Sequence, residues 1–219
     1  MCGRFALHAN PQVIALQFGL ASNPEVAPRY NIAPTSEVLV VRVGGGAPQA
    51  ARVRWGLVPR WAKDPAIGAK LNNARAETVA EKPSFGDAFR RRRCLIPASG
   101  FFEWKPQAGR KQPYYIHPAE GDLFGFAGLW ESWRGSDGVL ETCAIVTTKA
   151  NSRMEAIHDR MPVIIARRDY ARWLDCTASA EVRDLLHPCD PEAIAVRRVG
   201  RAVNDARNES AQLIEPETA

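Results

Sequence analysis

The sequence lacks the residue patterns that hold a metal ion or a disulfide framework. Its five cysteines are odd in number, lie far apart and form no Cys-x-x-Cys pair, which argues against both a disulfide framework and a zinc site. The four histidines show no ligand spacing either. We therefore expect no metal and no cofactor.

Long apolar runs are also missing from the 219 residues. No apolar stretch approaches the ~20 residues that a membrane-spanning helix requires, and the first residues do not show a basic segment followed by an apolar one. These absences predict a protein without a membrane partner and with a cytoplasmic location.

Lysine is scarce beside arginine, with 6 Lys against 23 Arg and a net charge of +5. The planar guanidinium group suits bidentate phosphate contacts, so this balance favours nucleic acid or another phosphate-bearing partner. A compositional bias of the genome would explain the same balance without any partner. The densest basic run, at 90–93, is interpreted as solvated surface.

Strand and helix patterns are mixed without regular alternation, which favours an α+β fold in a single domain, 1–219. Asn10 and Pro11 predict the start of a helix and Gly19 its end. Two aliphatic stretches around a Gly-rich turn, 37–43 and 49–55, predict a hairpin. The other predicted elements are strands at 94–96, 114–117, 123–130, 139–148, 163–166 and 193–199, helices at 84–92, 151–157, 168–174 and 179–187, a polar loop at 60–83 and a tail at roughly 209–219.

The cysteine at position two is the first candidate for chemistry. An initiator Met is normally trimmed before a residue as small as Cys, which would leave Cys2 with an α-amine and a thiol two carbons apart. The amine can condense with an aldehyde to an imine, and the thiol can then close a five-membered thiazolidine ring. Cys2 could instead act as an N-terminal nucleophile in amide hydrolysis, or be a buried thiol without such a role.

Four segments place polar residues in apolar, turn-rich surroundings, and Glu103 stands out among them. Its neighbours Phe101, Phe102 and Trp104 predict partial desolvation, which would raise the pKa of its carboxyl toward the range useful for proton transfer. An exposed Glu on the alternate face of a strand would fit the pattern equally well. The segments are 72–78, 97–104, 147–151 and 157–162.

The same segments supply three further polar candidates. His158 precedes a Met-Pro turn and can exchange a proton near neutral pH, although a surface His at a helix end would explain it too. Asn73 could orient a substrate oxygen, and Arg75 could hold a phosphate. Both would also be ordinary loop residues.

Aromatic and basic residues alternate at three places in the sequence: 54–55, 60–63 and 104–105. This mixture suits single-stranded nucleic acid, because rings stack on bases while cations follow the backbone. Tryptophans also fill cores, and we prefer that interpretation for Trp130, Trp133 and Trp173.

Taken together, the order of the segments resembles the SRAP (SOS response-associated peptidase) family of abasic-site processing proteins. In these motifs the sequence departs from the family's pattern at Phe102, where Tyr is common, and this difference should affect packing more than chemistry. The matching stretches are 1–5, 30–35, 54–63, 73–78, 93–104, 126–131, 145–151, 157–165 and 203–214.

The resemblance implies one α+β domain of mixed, mainly antiparallel curved sheets flanked by helices, acting as a monomer on abasic sites in single-stranded DNA. It also implies that the protein is nucleoid-associated when bound to DNA and acts in the SOS or damage response. Site residues are implied in two groups. The catalytic group is Cys2, Asn73, Glu103 and His158, and the DNA-binding group is Arg4, Pro34, Trp61, Arg75, Thr148 and Arg160.

The implied reaction joins the Cys2 amine and thiol to the aldehyde of an opened abasic sugar. Glu103 would position or deprotonate the amine, His158 would donate a proton to open the sugar or expel water, and Asn73 would hold the aldehyde oxygen. Retention of Met1 would block this chemistry. The alternatives are a cysteine-type, self-processing peptidase or lyase-type enzyme with the same residues, and a non-covalent binder of damaged DNA.

Overall fold

The computed structural model describes residues 2–107, 109–136, 138–176 and 181–217. Among these residues there are short helices and a larger number of strands. The helices are α1 (Pro11–Phe18), α2 (Gly86–Arg91) and α3 (Tyr170–Leu174). The strands are β1 (Phe5–Leu7), β2 (Arg29–Ile32), β3 (Glu37–Gly44), β4 (Ala47–Trp55), β5 (Asn73–Arg75), β6 (Arg93–Ala98), β7 (Gly100–Gln107), β8 (Arg110–Pro118), β9 (Phe124–Gly135), β10 (Gly138–Lys149), β11 (Arg160–Pro162), β12 (Ile164–Ile165) and β13 (Ile194–Arg198).

The strands form two sheets, one of which closes on itself. In the larger sheet the order β10-β4-β3-β6-β9 returns to its start, because β9 also pairs with β10. Strands β5 and β11 both pair with the last part of β10, whereas β12 pairs with β9. The smaller sheet has the order β13-β8-β7-β1-β2. Most pairings are antiparallel, so the predicted α+β fold with mixed, mainly antiparallel sheets is confirmed.

Aromatic side chains join the two sheets in one core. The Phe5 ring of β1 lies 5.2 Å from the Trp55 ring of β4, and the Phe101 ring of β7 lies 5.9 Å from that of Phe126 in β9. All four side chains are at most 1% exposed. Burying such large rings stabilises the fold by about 1.5–3 kcal/mol each, and their edge-to-face contacts hold β1 and β7 against the closed sheet.

Local sequence signals explain the first helix. The Asn10 side chain accepts a hydrogen bond from the main-chain N–H of Gln12, Pro11 occupies the first turn, and Gly19 takes the left-handed conformation that ends the helix. A second glycine effect holds the loop after β4. A Cβ atom on Gly56 would come within 2.6 Å of the Gly68 carbonyl oxygen, so only glycine permits this close approach of the two segments.

Two predicted helices are wrong. Residues 151–157 form turns, because the Ala150 N–H donates to the Asp159 carbonyl and the chain between them only links β10 to the adjacent antiparallel β11. The Asn151 side chain caps these turns. Of the predicted helix 179–187, residues 179 and 180 lie outside the described residues, and the rest contains one 3-10 turn, Arg183–Leu185.

The end of the chain packs on the sheet where a tail was predicted. Leu213 is 5% exposed in a 3-10 turn, Ala211–Ile214, and Pro216 bridges Val199. Residues 218 and 219 lie outside the described part. The described helices include none that is long and apolar enough to cross a membrane.

The basic run at 90–93 is only partly solvated, contrary to the prediction. Arg92 is 7% exposed and Arg93 3% exposed. Arg92 donates to the buried Glu131 carboxylate, and Arg93 donates to the main-chain carbonyls of Trp173 and Phe89. Their burial follows from position, because they join α2 to β6 and therefore face the packed interior.

Candidate active site

Cys2 lies three residues before the start of β1, and it is 0% exposed. Burial raises the pKa of the Cys2 thiol well above its ordinary value, and the nearby negative charge of Glu103 raises it further. The sulfur is therefore a neutral thiol at pH 7. A nucleophilic reaction of this sulfur requires a base or prior reaction of another group on the same residue.

Asn73 begins β5 and contacts Cys2 directly. Parallel pairing with Ile145 of β10 fixes the main chain of Asn73, and its side-chain Nδ2 donates a 2.8 Å hydrogen bond to the Cys2 carbonyl oxygen. The Oδ1 atom of the same amide is buried and has no hydrogen-bond partner among the described residues. The Asn73 amide can therefore both orient Cys2 and offer a polar atom to a substrate.

Glu103 lies in the middle of β7, opposite Tyr114 of β8. Its side chain is 3% exposed, and burial raises the pKa of the carboxyl to about 7. The alternative of an exposed Glu on a strand surface is therefore wrong. A carboxyl group that is half ionised at neutral pH can both give and take a proton.

His158 faces Glu103 from the turn before β11. Its Nε2 atom lies 3.9 Å from Glu103 Oε2, and its Nδ1 atom accepts a 3.0 Å hydrogen bond from the Arg160 main-chain N–H. Partial burial lowers the pKa of the imidazole, so the ring is mainly neutral at pH 7. Cys2, Asn73, Glu103 and His158, which come from four separate segments, thus lie together.

The six residues predicted to bind DNA fall into two groups, and the side chains of the first group are exposed or half-buried. Arg75 is exposed at the end of β5, with no ion pair among the described residues, and Trp61 is 58% exposed. Pro34 is half-buried and precedes Thr35, whose φ of 72° is unusual for a residue with a side chain. These three residues can therefore contact a nucleic acid at little cost. The internal hydrogen bond that such a contact could break is the one that Trp61 donates to the Pro83 carbonyl.

The other three predicted DNA contacts are engaged inside the protein. Arg4 donates to Asn31 Oδ1 at 2.6 Å and to the Val203 carbonyl at 2.9 Å. Thr148 is 4% exposed and lines a cavity of about 140 Å³. Arg160 forms a bidentate ion pair with Glu77. Their predicted DNA contacts stay predictions.

The structure decides between the two interpretations that the sequence leaves open for Trp55. Trp55 is 0% exposed and donates through Nε1 to the Asn72 carbonyl, so it cannot stack on a base. Trp173 is a core residue as predicted, whereas Trp130 and Trp133 are only half-buried. The alternation of aromatic and basic residues could not separate these cases because strand residues alternate between core and surface.

Sequence reasoning missed two residues that order the site. Asn31 is 1% exposed and holds Arg4 through its side-chain oxygen. Glu77 holds Arg160 through both carboxylate oxygens. Asn31 lies in the segment 30–35 and Glu77 in the segment 72–78, but a polar side chain in a loop gives no sign of its distant partner.

The fold and the site define a class of protein in which a cysteine at position two lies beside a buried carboxyl group and a histidine, where a closed mixed sheet meets a second sheet. The profile of the family described as SOS response associated peptidase (SRAP) matches residues 1–206, and the chain belongs to this family.

Similar proteins span almost the whole chain. "Abasic site processing protein YoqW" of Bacillus subtilis is 42% identical, over 98% of this chain and 99% of that protein. "Abasic site processing protein YedK" of Escherichia coli is 30% identical, over 99% of this chain and 100% of the other. A crystal structure of a protein from Bacteroides thetaiotaomicron, 26% identical, superposes with a TM-score of 0.87 over 99% of this chain and 100% of that one.

Proposed function

We propose that this chain processes abasic sites in single-stranded DNA, and that Cys2 forms the covalent bond to the site after removal of Met1. The observation that carries the proposal is the contact of Cys2 with Asn73 beside the buried Glu103 carboxyl. This places a residue with two potential nucleophiles next to a proton-transfer group. The printed names of the relatives support the same substrate.

The first step is attack of the Cys2 α-amine on the aldehyde. An abasic sugar in its ring-opened form carries an aldehyde at C1′, and an α-amine with an ordinary pKa of ~7.7–8.0 is partly neutral at pH 7. His158 donates a proton to the ring oxygen as the sugar opens and recovers one from the C1′ hydroxyl group. Glu103 takes up, one after the other, the two protons that the attacking nitrogen loses and passes them to the aldehyde oxygen, which leaves as water. The products of this step are an imine and one water molecule.

The second step closes a ring. The Cys2 sulfur adds to the imine carbon, and the thiol proton moves to the imine nitrogen, which gives a five-membered thiazolidine. The overall change is a condensation that releases one water, with no oxidation or reduction. Asn73 keeps the Cys2 main chain in place through its 2.8 Å hydrogen bond, and its Oδ1 atom can accept a hydrogen bond from the hydroxyl group that the aldehyde oxygen becomes when the amine adds.

Selectivity comes from the abasic nucleotide itself and from two exposed side chains of the protein, the cation of Arg75 and the ring of Trp61. A nucleotide without a base costs little to turn out of the stack into a pocket. Arg75 contacts a phosphate and Trp61 stacks on a base of the same strand. Both are exposed in the structure, which supports these roles.

The same proposal includes the setting of the reaction. The protein acts as a monomer in the cytoplasm and is associated with the nucleoid when it is bound to DNA. The family description, which refers to the SOS response, supports a role in the response to DNA damage.

The family description also names a peptidase, which is the second candidate function. A cysteine peptidase activates its sulfur as a thiolate next to a protonated histidine. Burial here raises the pKa of the Cys2 thiol and lowers that of His158, so the ion pair is disfavoured. These two pKa directions favour chemistry that starts at the Cys2 α-amine rather than at its sulfur.

Intact mass spectrometry tests the proposal. Protein verified to lack Met1 is incubated with a single-stranded oligonucleotide that carries one abasic site, and a preparation that retains Met1 serves as the matched control. The expected product has the summed mass of protein and DNA minus one water, and it persists on a denaturing gel without reductant. Absence of this product would contradict the proposal, and a shift seen only on a native gel would identify a non-covalent binder.

A further inference from the structure

The ion pair between Glu77 and Arg160 connects two segments that adjoin two of the four candidate catalytic residues, Asn73 and His158. Glu77 lies just after β5, which begins with Asn73, and Arg160 begins β11, just after His158. Arg160 Nη1 lies 2.6 Å from one Glu77 carboxylate oxygen, and Nη2 lies 3.0 Å from the other. Bidentate pairs of this kind fix both partners in one geometry.

Both segments are also attached to the same carbonyl group of β10. The Thr147 carbonyl oxygen accepts hydrogen bonds from the Ala76 N–H at 2.8 Å and from Arg160 Nη2 at 2.6 Å. The Arg160 side chain is 12% exposed. It therefore acts as an internal cross-link over the end of β10, with most of its surface withdrawn from solvent.

Two neighbours of His158, the main chain of Arg160 and the side chain of Asp159, influence which ring nitrogen carries the proton. The Arg160 N–H donates to Nδ1 at 3.0 Å, which places the proton of the neutral ring on Nε2, toward Glu103. Asp159 Oδ1 lies 2.9 Å from the same Nδ1 and favours a proton there. One nitrogen cannot accept and donate at once, so the two neighbours favour opposite tautomers.

We propose that Glu77 is a positioning residue: by holding Arg160 across β10, it fixes His158 relative to Asn73 and keeps the His158 proton on Nε2. Without Glu77, the Arg160 main chain is less restrained, and the ring proton moves from Nε2 to Nδ1, where Asp159 Oδ1 accepts a hydrogen bond from it. Nε2 then becomes an acceptor and cannot donate a proton to the substrate. The inference deepens the proposed function and rests on it only where the rate of adduct formation is measured.

The test compares Glu77→Gln with Glu81→Gln, which removes the same charge from an exposed side chain four residues further along. We expect Glu77→Gln to slow adduct formation at saturating abasic single strands by about tenfold to a hundredfold, without weakening binding to intact single strands. Glu81→Gln should match the wild type. Glu77→Asp keeps the charge but shortens the reach, so it should give an intermediate rate, and it provides the same test if Glu77→Gln does not fold.

Nitrogen-15 chemical shifts of the histidine rings give a readout that does not depend on activity. The wild type should show His158 mainly with the proton on Nε2, and Glu77→Gln should show a larger share with the proton on Nδ1. If the wild type forms no adduct, the proposed function fails while this result still decides the role of Glu77. An unchanged tautomer, or tighter binding with a steeper salt dependence at an unchanged rate, would overturn the proposal and make Arg160 a phosphate ligand for which Glu77 competes.

Discussion

The side-chain amide of Asn73 donates a 2.8 Å hydrogen bond to the main-chain carbonyl of Cys2, across 71 positions of sequence. This contact joins the start of β5 in the closed sheet to the segment that leads into β1 of the other sheet. A residue at the beginning of a chain is ordinarily free to move. Here the amide restrains Cys2 at the point where the two sheets meet.

Loss of this restraint should slow the reaction more than it weakens the fold. Asn73→Ala removes one hydrogen bond, which costs about 0.5–1.5 kcal/mol of unfolding free energy. Misplacement of Cys2 should lower the rate of adduct formation by about 10²-fold. Single-turnover kinetics and thermal unfolding measure the two effects, with Asn72→Ala as a neighbouring control. A rate equal to that of the wild type would show that the contact does not orient Cys2.

Cys2 variants should separate the amine step from the ring closure. Cys2→Ala should form no lasting adduct, because it lacks the sulfur. Cys2→Ser keeps the amine with a poorer second nucleophile, so an imine should be trapped mainly by borohydride, with some strand cleavage. Denaturing gels with and without reductant check this. A durable adduct from Cys2→Ser without reductant would rule out the thiazolidine.

Glu103 should make stability depend on pH. Its pKa is raised from about 4.3 in an unfolded chain to about 7 by burial. The folded state therefore binds more protons than the unfolded state between these values, and stability falls as pH rises through this window, by on the order of 3 kcal/mol. Glu103→Gln should remove this dependence. Urea denaturation between pH 4 and 8 tests it, and parallel profiles for the two proteins would contradict the burial argument.

Arg75 should act through phosphate contact. Because it is exposed and makes no ion pair in the described part of the chain, Arg75→Ala should weaken binding to any single strand and lower the slope of log affinity against log salt by about one. Arg90→Ala, which removes an exposed cation from the end of α2, is the matched control. Unchanged affinity of Arg75→Ala at low salt would show that the assignment is wrong.

The sequence predicts those parts of the fold whose signals are local. Capping and a glycine stop place α1, and β-branched runs around a turn place β3 and β4. Strands β1, β5 and β11 are three residues each, and they exist because they pair with distant strands. No periodicity can develop over three residues, so only the folded chain defines them.

The candidate site likewise contains a part that adjacent sequence predicts and a part that depends on distant partners. The aromatic neighbours of Glu103 predict its burial from adjacent sequence, and the structure confirms it. The hydrogen bond that Arg4 donates to Asn31 spans 27 positions, and the ion pair of Glu77 with Arg160 spans 83. Such partners depend on the order of strands in the sheets, which the sequence alone does not specify.

The last prediction separates the proton-transfer roles of Glu103 and His158. General acid or base help contributes about 10²–10⁴-fold, so Glu103→Gln and His158→Ala should each slow adduct formation while still giving the product on long incubation. A substrate whose aldehyde is already open no longer requires a proton to open the sugar. Such a substrate should therefore rescue His158→Ala more than Glu103→Gln, since Glu103 acts on the amine in either case. Rates measured on both substrates test these two roles. Equal rates for the wild type and both variants on an ordinary abasic site would show that Glu103 and His158 are structural and that Cys2 carries the chemistry.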